Sequence, residues 1–592
     1  MSLGGSDKHI STDVLVIGGG MAGCFSAIKA KGQGLDVTLI DKGYVGKSGA
    51  THYSEGDFVF FRPELGHKLN AWMDGINTVS EYVNNRDWSE IVLKEGHERY
   101  DDLVSWGIKF YEEGGKIHVN RSRGGIPMPN WENISMINRE YAPSLRKKVL
   151  ASGVRVLDRI MVCELLKQGG RVVGVVAFHI TSGSLYIFEA RAIVLASGGA
   201  QSFKNENMPT HYRTADGEAM AYRAGAEIAG KEFVSNRLVC GMPRSAAAGH
   251  LYTWTSTKVS EGAWKEVDLV TRFPAFRGDD GSIWLPPSIN AEGGPVFSAI
   301  WEAHCGRAPV YVDLDAYTTE QMEFLQFYYQ RIGTTQSDKV GFDPTKGGKY
   351  KFHTNLGLRV IPGGSQGIWP INTRGATILP GLFAAGDACA TLASGASYAG
   401  LGFALCHASV TGNRAGLAAA EYALKSKKIT IDEAELMRVK KIVCAPVERK
   451  GGFGPDWLTQ VLQGIILPYF IIHVKHGERL QAALTLVEFL GNHLVPKIKA
   501  KDAHEWRKAQ ETKNMVLNAE MVLRASLFRT ESRGTHFRED FPRRDDPTWL
   551  AWVKLKEEQG KMKVSKEPIP KEWWPDLSRS YEERYPLMFA GE

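Results

Sequence analysis

Apolar positions along the chain come in runs whose period changes. Val14 to Ile17 is a short unbroken apolar run, a helix-like segment opens at Met21, and Val37 to Ile40 is a second short run that ends at Asp41. Short apolar runs bounded by glycine predict buried strands, so residues 13–41 predict strand, turn, helix and strand. A glycine- and serine-rich loop follows over 42–57, then amphipathic helix-like segments to about Gly107. Arg155 to Val176 and Leu185 to Leu195 predict strands, the last running into Ala196-Ser197-Gly198-Gly199-Ala200. From about Arg237, Pro, Gly, Trp and Ser interrupt every apolar run until 308–314, which predicts an inserted domain. The strand pattern returns at Gly381 and ends in Gly386-Asp387. Past about Lys428 the chain becomes charged and helical, with heptad-like spacing over Leu480 to Leu494 and Thr512 to Phe528. The last fifty residues, rich in Trp, Pro and charge, predict an extended tail wrapped on a surface.

The first turn carries recognisable chemistry. Gly18 permits the tight bend, Gly20 lets backbone amides approach a pyrophosphate, and Gly23 lets helix and strand pack closely, with the helix N-terminus supplying partial positive charge. Asp41, eighteen residues after Gly23, is placed to accept a ribose hydroxyl. Gly198-Gly199 and Gly386-Asp387 mark further places where backbone comes close to a ligand.

Composition narrows the picture. At 592 residues there is room for two to four domains, and 43% hydrophobic with 23% charged residues is ordinary for a globular chain. A net charge of +6, scattered rather than blocked, does not suggest nucleic acid. Seven cysteines, widely spaced and without a C-x-x-C pair, give no obvious metal or iron-sulfur ligand set and fit a reducing, cytoplasmic setting. The longest apolar stretch, Val461 to Ile472, is too short to span a bilayer; a buried helix and a docking face are its two readings.

Taken in order, VIGGGMAG, Ser48 to Ala50, ASGGA at 196–200, GLFAAGDA at 381–388 and ESRGTHFREDFPRRDD at 531–546 resemble the flavoprotein family of succinate dehydrogenase, fumarate reductase, L-aspartate oxidase and the adenylylsulfate reductase alpha subunit. The resemblance implies an α/β fold: a Rossmann-like FAD-binding domain in two parts (9–236 and 351–428), an inserted α+β capping domain (237–350), and a C-terminal helical domain with its tail (429–592). It implies FAD, with Asp41 on the adenosine ribose, Ser48, Gly49 and Ala50 beside the isoalloxazine, and Asp387 near the ribitol. Lys42, Gly198, Gly199, Asp216, Gly386 and Ser397 complete the expected cofactor-binding set.

The departures from that family bear on chemistry. Gly49 stands where membrane-bound relatives carry the histidine that tethers flavin, so the expectation is noncovalent FAD. His52 could face the ring, a structural histidine being the alternative. Gly395-Ala396-Ser397-Tyr398 replaces a G-A-N-R sequence, and a phenol cannot form the bidentate pair that holds a carboxylate. The H-Y-T-M-G-G histidine falls near Pro362, and an H-P-T-G segment is replaced from Phe233. A plain succinate or fumarate enzyme is therefore not expected. Ser397 to Gly416 is similar to the matching segment of flavin-dependent 3-ketosteroid dehydrogenases, where a tyrosine hydroxyl and a following backbone amide polarise a ketone. That resemblance implies Tyr398, with the amide of Ala399 or Gly400, on a carbonyl oxygen; packing against the flavin is the alternative role. A helix opening near Gly402 would aim its N-terminus at the flavin pyrimidine. Arg277 and Arg272 are candidates for proton transfer, with solvated arginines as the alternative.

The 531–546 segment and the tail, which resemble family members that work beside an iron-sulfur subunit, imply a ferredoxin-like partner; a homo-oligomer using another carrier is the alternative. Three functions follow: an enzyme of C=C bonds conjugated to a carbonyl, an adenylylsulfate-reductase-like alpha subunit, or a flavin electron-transfer subunit without its own substrate.

Overall fold

A computed structural model describes residues 7–54, 56–121, 131–137, 140–200, 213–235, 276–277, 300, 304–306, 311–313, 319, 346–347, 349–351, 359–360, 363–400, 402–428, 430–585 and 589. Strand β1 (Lys8–Ile17) lies between β2 (Val37–Ile40) and the strand Leu185–Leu195, parallel to both. Val14 pairs with Val37 and Ala192, and Ile17 with Ile40 and Leu195. Arg155–Leu157 adds a parallel strand beyond β2, and Leu382–Ala384 runs parallel to the end of Leu185–Leu195. Arg171–His179 and Ile160–Gln168 extend the other side antiparallel.

Both faces of this sheet are covered, which is why its central strands are apolar runs rather than alternations. One face carries helix α1 (Met21–Lys31), buried along nearly its whole length because the helix Phe403–Lys425 lies over it. Ser26 Oγ donates to the Gly412 carbonyl at 2.9 Å where the two helices cross. On the other face Leu15, Ile17 and Ile193 share a core with Ala221 of the helix Asp216–Ala224 and with Met521 and Ala525 of the helix Ala503–Phe528.

The C-terminal part is helical as expected, with Glu433–Glu448, Pro455–Ile466, Gly477–Phe489 and Ala503–Phe528. Trp506 anchors it, stacked on Phe178 at 3.9 Å and donating from Nε1 to the Val443 carbonyl at 2.8 Å. The apolar stretch Val461 to Ile472 breaks at Pro468; Leu462, Ile466, Ile471 and Ile472 are buried, while Trp457 and Phe470 beside them are exposed. Among the described residues no helix is long and apolar enough to cross a membrane.

The final fifty residues differ from the extended tail the sequence suggested. Ala551–Glu558 and Lys561–Pro568 form an antiparallel hairpin, turned through Gln559 and Gly560, both at positive φ as a tight hairpin requires. Its first strand pairs with Ile228–Ala229 and buries Ala551, Trp552, Val553 and Leu555. Most of the segment 237–350, expected as a capping domain, lies outside the described residues. Within and beside it Phe276–Arg277, Tyr311–Asp313 and Lys349–Lys351 pair into a sheet of their own.

Candidate active site

Three turns meet where parallel strands end. Ile17 passes into Gly18, Leu195 into Ala196, and Ala384 into Gly386, and register places Leu195 between Ile17 and Ala384. A Cβ on Gly18 would lie 2.4 Å from the Ala196 carbonyl oxygen, and one on Gly23 would lie 1.7 Å from the Gly18 oxygen. Both positions therefore exclude any side chain. Helix α1 then starts from Gly20, and its first amide, that of Met21, donates to Thr51 Oγ1 at 3.0 Å. Such a crevice at the carboxyl ends of parallel strands is the expected place for a dinucleotide.

Asp41 organises the near side. Its Oδ2 accepts from the Gly19 amide at 2.7 Å, and its Oδ1 from the Gly43 amide at 2.6 Å and from Ser48 Oγ at 2.9 Å. A carboxylate offers about four acceptor sites, which leaves one for a ribose hydroxyl. Ser48 thus ties its loop to Asp41, and Gly49 and Ala50 open the short helix Gly49–Tyr53. Lys42 and Asp216 are brought together at 2.7 Å in an ion-pair cluster with Glu511, and Asp216 also accepts from Asn514. That cluster joins the end of β2 to the helix Ala503–Phe528.

On the far side Asp387 accepts from the Gly363 amide at 3.0 Å and pairs with Arg213 at 3.6 Å. Arg213 Nε donates to the Gly199 carbonyl at 3.3 Å, so this arginine, unremarked in the sequence, binds the second turn to the third. Ser394 and Ser397 are fully buried with hydroxyls that meet no hydrogen-bond partner among the described residues. Buried hydroxyls need acceptors. An added Cβ on Gly49 or Gly198 would meet nothing within 4 Å among the described residues, and these residues fit the FAD that the resemblance implies.

The substrate-side residues are distributed differently. Tyr398 is buried, and its oxygen accepts from the Ala404 amide at 3.2 Å. That amide belongs to the first turn of Phe403–Lys425, which starts from Gly402 as expected and has no side-chain cap from it. The phenol supplies an acceptor to the helix end, and donation from the positive end of a helix polarises its own O–H. His407, unremarked in the sequence, is fully buried and shares a 2.8 Å hydrogen bond with Thr391. Burial pushes its imidazole down to about 4, the Asp387 carboxylate acting the other way, so it stays neutral near pH 7. His52 sits on Gly49–Tyr53 with its ring edge-on to Tyr53 at 5.1 Å. Arg277 lies on the strand Phe276–Arg277, its backbone paired with Tyr311. Arg272 and Pro362 lie outside the described residues.

The first half of the 531–546 segment proves to be interior: Glu531, Ser532, Arg533, His536 and Arg538 are almost wholly buried, while Phe541, Arg543 and Asp545 are exposed.

A family model described as FAD binding domain matches residues 13–401, and one described as Fumarate reductase flavoprotein C-term matches residues 468–581. One relative, a component of the fumarate reductase (CoM/CoB) of Methanothermobacter marburgensis, is 27% identical, over 92% of this chain and 96% of that protein. The fold is shared with E. coli quinol fumarate reductase FrdA (TM-score 0.78, 20% identity, 97% and 99% of the two chains). It is also shared with adenylylsulfate reductase from Archaeoglobus fulgidus (TM-score 0.77, 21% identity, 95% and 97%). The first model alone spans well over half of the sequence and includes Gly18, Asp41 and Asp387. The chain belongs to the fumarate reductase and succinate dehydrogenase flavoprotein family and is an FAD-dependent oxidoreductase.

Proposed function

We propose that this oxidoreductase forms or reduces a C=C bond conjugated to a carbonyl, in an enone, an enoyl thioester or an unsaturated acid, with Tyr398 donating to the carbonyl oxygen. The observation that carries this reading is the phenol anchored on the Ala404 amide, at a position where the resemblance expects an arginine. Noncovalently bound FAD supplies hydride transfer at its N5. When bound, it would be held by Asp41 at the ribose, by the start of α1 at the pyrophosphate, and by Asp387 with Ser397 at the ribitol and ring. As negative charge builds on the carbonyl oxygen, the Tyr398 hydroxyl donates more strongly than to the ground state, and the helix end behind it favours the same charge.

Several features support the parts of this reading. Gly49 has φ +78°, a left-handed conformation in which a histidine would be strained, as expected for untethered FAD. A fumarate reductase among the relatives supports C=C chemistry, and the loss of the arginine favours a ketone or thioester over a second carboxylate. Arg277 remains the candidate for proton delivery from the capping segment. Electrons pass to or from a separate iron-sulfur protein in the cytoplasm; the relative's being one component of a larger enzyme supports a partner, and the apolar side chains Trp457 and Phe470 are available to one.

The test is anaerobic reduction of the holoprotein followed by titration with enones, enoyl thioesters, fumarate and adenylylsulfate, read in the visible spectrum. Reoxidation by enones or thioesters and not by fumarate is expected; reoxidation by fumarate or adenylylsulfate alone overturns the reading. Acid precipitation of the same sample should release all of the flavin.

A further inference from the structure

We infer that the C-terminal arm, through Gly534 and Thr535, is a clamp that positions the loop bearing Ser397 and Tyr398. Its importance for turnover rests on the role proposed above for Tyr398. The Ala396 carbonyl, two residues before Tyr398, accepts twice from Thr535: from its amide at 3.1 Å and from its Oγ1 at 3.2 Å. A Cβ on Gly534 would lie 2.4 Å from the same oxygen, so only glycine lets the arm come this close. From the opposite side Asn85 N–H donates to the Leu392 carbonyl at 2.9 Å and Ser89 Oγ to the Ala393 carbonyl at 2.8 Å. The loop is thus gripped just upstream of Tyr398 by segments from distant parts of the chain.

The arm is itself braced. The Gly534 amide donates to Glu81 Oε2 at 2.9 Å, and Arg544 forks onto both Glu81 oxygens, Nε at 3.0 Å and Nη2 at 2.7 Å. Arg533 Nη1 donates to the Glu81 backbone carbonyl at 2.7 Å. Glu81 and Tyr82 have φ of +50° and +66°, a left-handed pair that non-glycine residues rarely adopt. Such a conformation persists where the surroundings over-determine it, and it is common beside functional sites. Buried charge-assisted bonds from Arg533 and Arg544 supply that determination. A small shift of the Ala396 carbonyl would be passed to Tyr398 and to its bond with Ala404, and small misplacements at a reacting group are costly in rate.

Thr535 is therefore a positioning residue, and the clamp can be tested on the FAD-loaded full-length chain. Thr535→Val removes the Oγ1 donor while keeping the shape; Thr535→Ser keeps the donor. Hydrogen exchange should rise about fivefold over residues 396–404 in Thr535→Val, with flavin content and exchange over 14–31 unchanged, and Thr535→Ser should restore protection. Unchanged exchange over 396–404 overturns the clamp. Should Thr535→Val fail to accumulate, Thr535→Ala carries the same expectation. Reoxidation of the reduced flavin by 2-cyclohexenone separates the two readings. A slower rate in Thr535→Val that adds nothing in a Tyr398→Phe background supports both. Raised exchange with Tyr398→Phe turning over normally upholds the clamp and removes Tyr398 from the chemistry.

Discussion

The turn at Gly18 and the loop at Tyr398 are both sharp bends pressed against neighbouring backbone, but they are specified in different ways. Around Gly18 the determinants are near in sequence: Gly20 and Gly23 follow directly, and Asp41 and Ser48 close the cradle through Gly19 and Gly43. Around Tyr398 several are remote: Asn85, Ser89 and Thr535 hold the loop, beside local bonds such as those of Gly395 to Leu392 and of Ala404 to Tyr398. The Gly18 turn is set largely within one strand-turn-helix unit, with the Ala196 backbone pressed onto it from a later strand. The part that would meet the substrate is assembled from segments that can change independently.

The largest effect expected of that contrast is at Gly23. Gly23→Val drives a side chain into the Gly18 carbonyl, a backbone atom that cannot move aside, and should destabilise the holoprotein by about 4 kcal/mol or more. Flavin content and thermal midpoint measure it; a variant that binds FAD normally would break the account of the cradle. On the remote side, His407 is neutral in the fold and titrates near its ordinary 6.5 when unfolded, so the unfolded chain takes up the proton first. Its contribution is present above pH 6.5 and is lost as pH falls toward about 4, on the order of 3 kcal/mol. His473, which burial pushes to about 3, acts in the same direction. Urea denaturation at several pH values should show a shallower acid loss for His407→Gln than for the natural chain, and identical slopes would remove His407 from it.

Tyr398→Phe should lower turnover by about 10², equivalent to about 2.7 kcal/mol in the barrier, while FAD stays bound. Normal turnover would leave Tyr398 as a packing residue. The smallest effect belongs to Gly49→Ala, which meets no neighbour but forces a left-handed alanine, costing about 1 kcal/mol. A fall in thermal midpoint of about 1 °C, with flavin still released on precipitation, is the expected outcome.

Much of the fold was readable because its cues are periodic. The buried runs at 14–17 and 37–40 are strands, the glycines are where turns occur, and the heptad-like spacing past Leu480 belongs to Gly477–Phe489 and Ala503–Phe528. The hairpin at 551–568 was obscured by its lysines and glutamates, which face water along the second strand. The charged run at 531–546 reads as surface because ionised residues are usually exposed; here Arg529, Glu531, Arg533 and Asp546 neutralise one another inside the protein, which no spacing rule reveals. Arg213 and His407 escaped notice for the same reason. Each gains its meaning from a partner off its own element, Asp387 for one and Thr391 for the other.

The bracing of Glu81 by Arg533 and Arg544 also sets an order of events in the cell. Synthesis runs from β1 toward the C-terminal arm, so the loop with Tyr398 emerges from the ribosome well before Gly534 and Arg544, and domains tend to fold as they appear. Until the arm arrives, the left-handed turn at Glu81 lacks the bonds that hold it, and the Ala396 carbonyl lacks both donors from Thr535. The loop bearing Ala396 therefore gains this clamp only after residues 533–544 have been made.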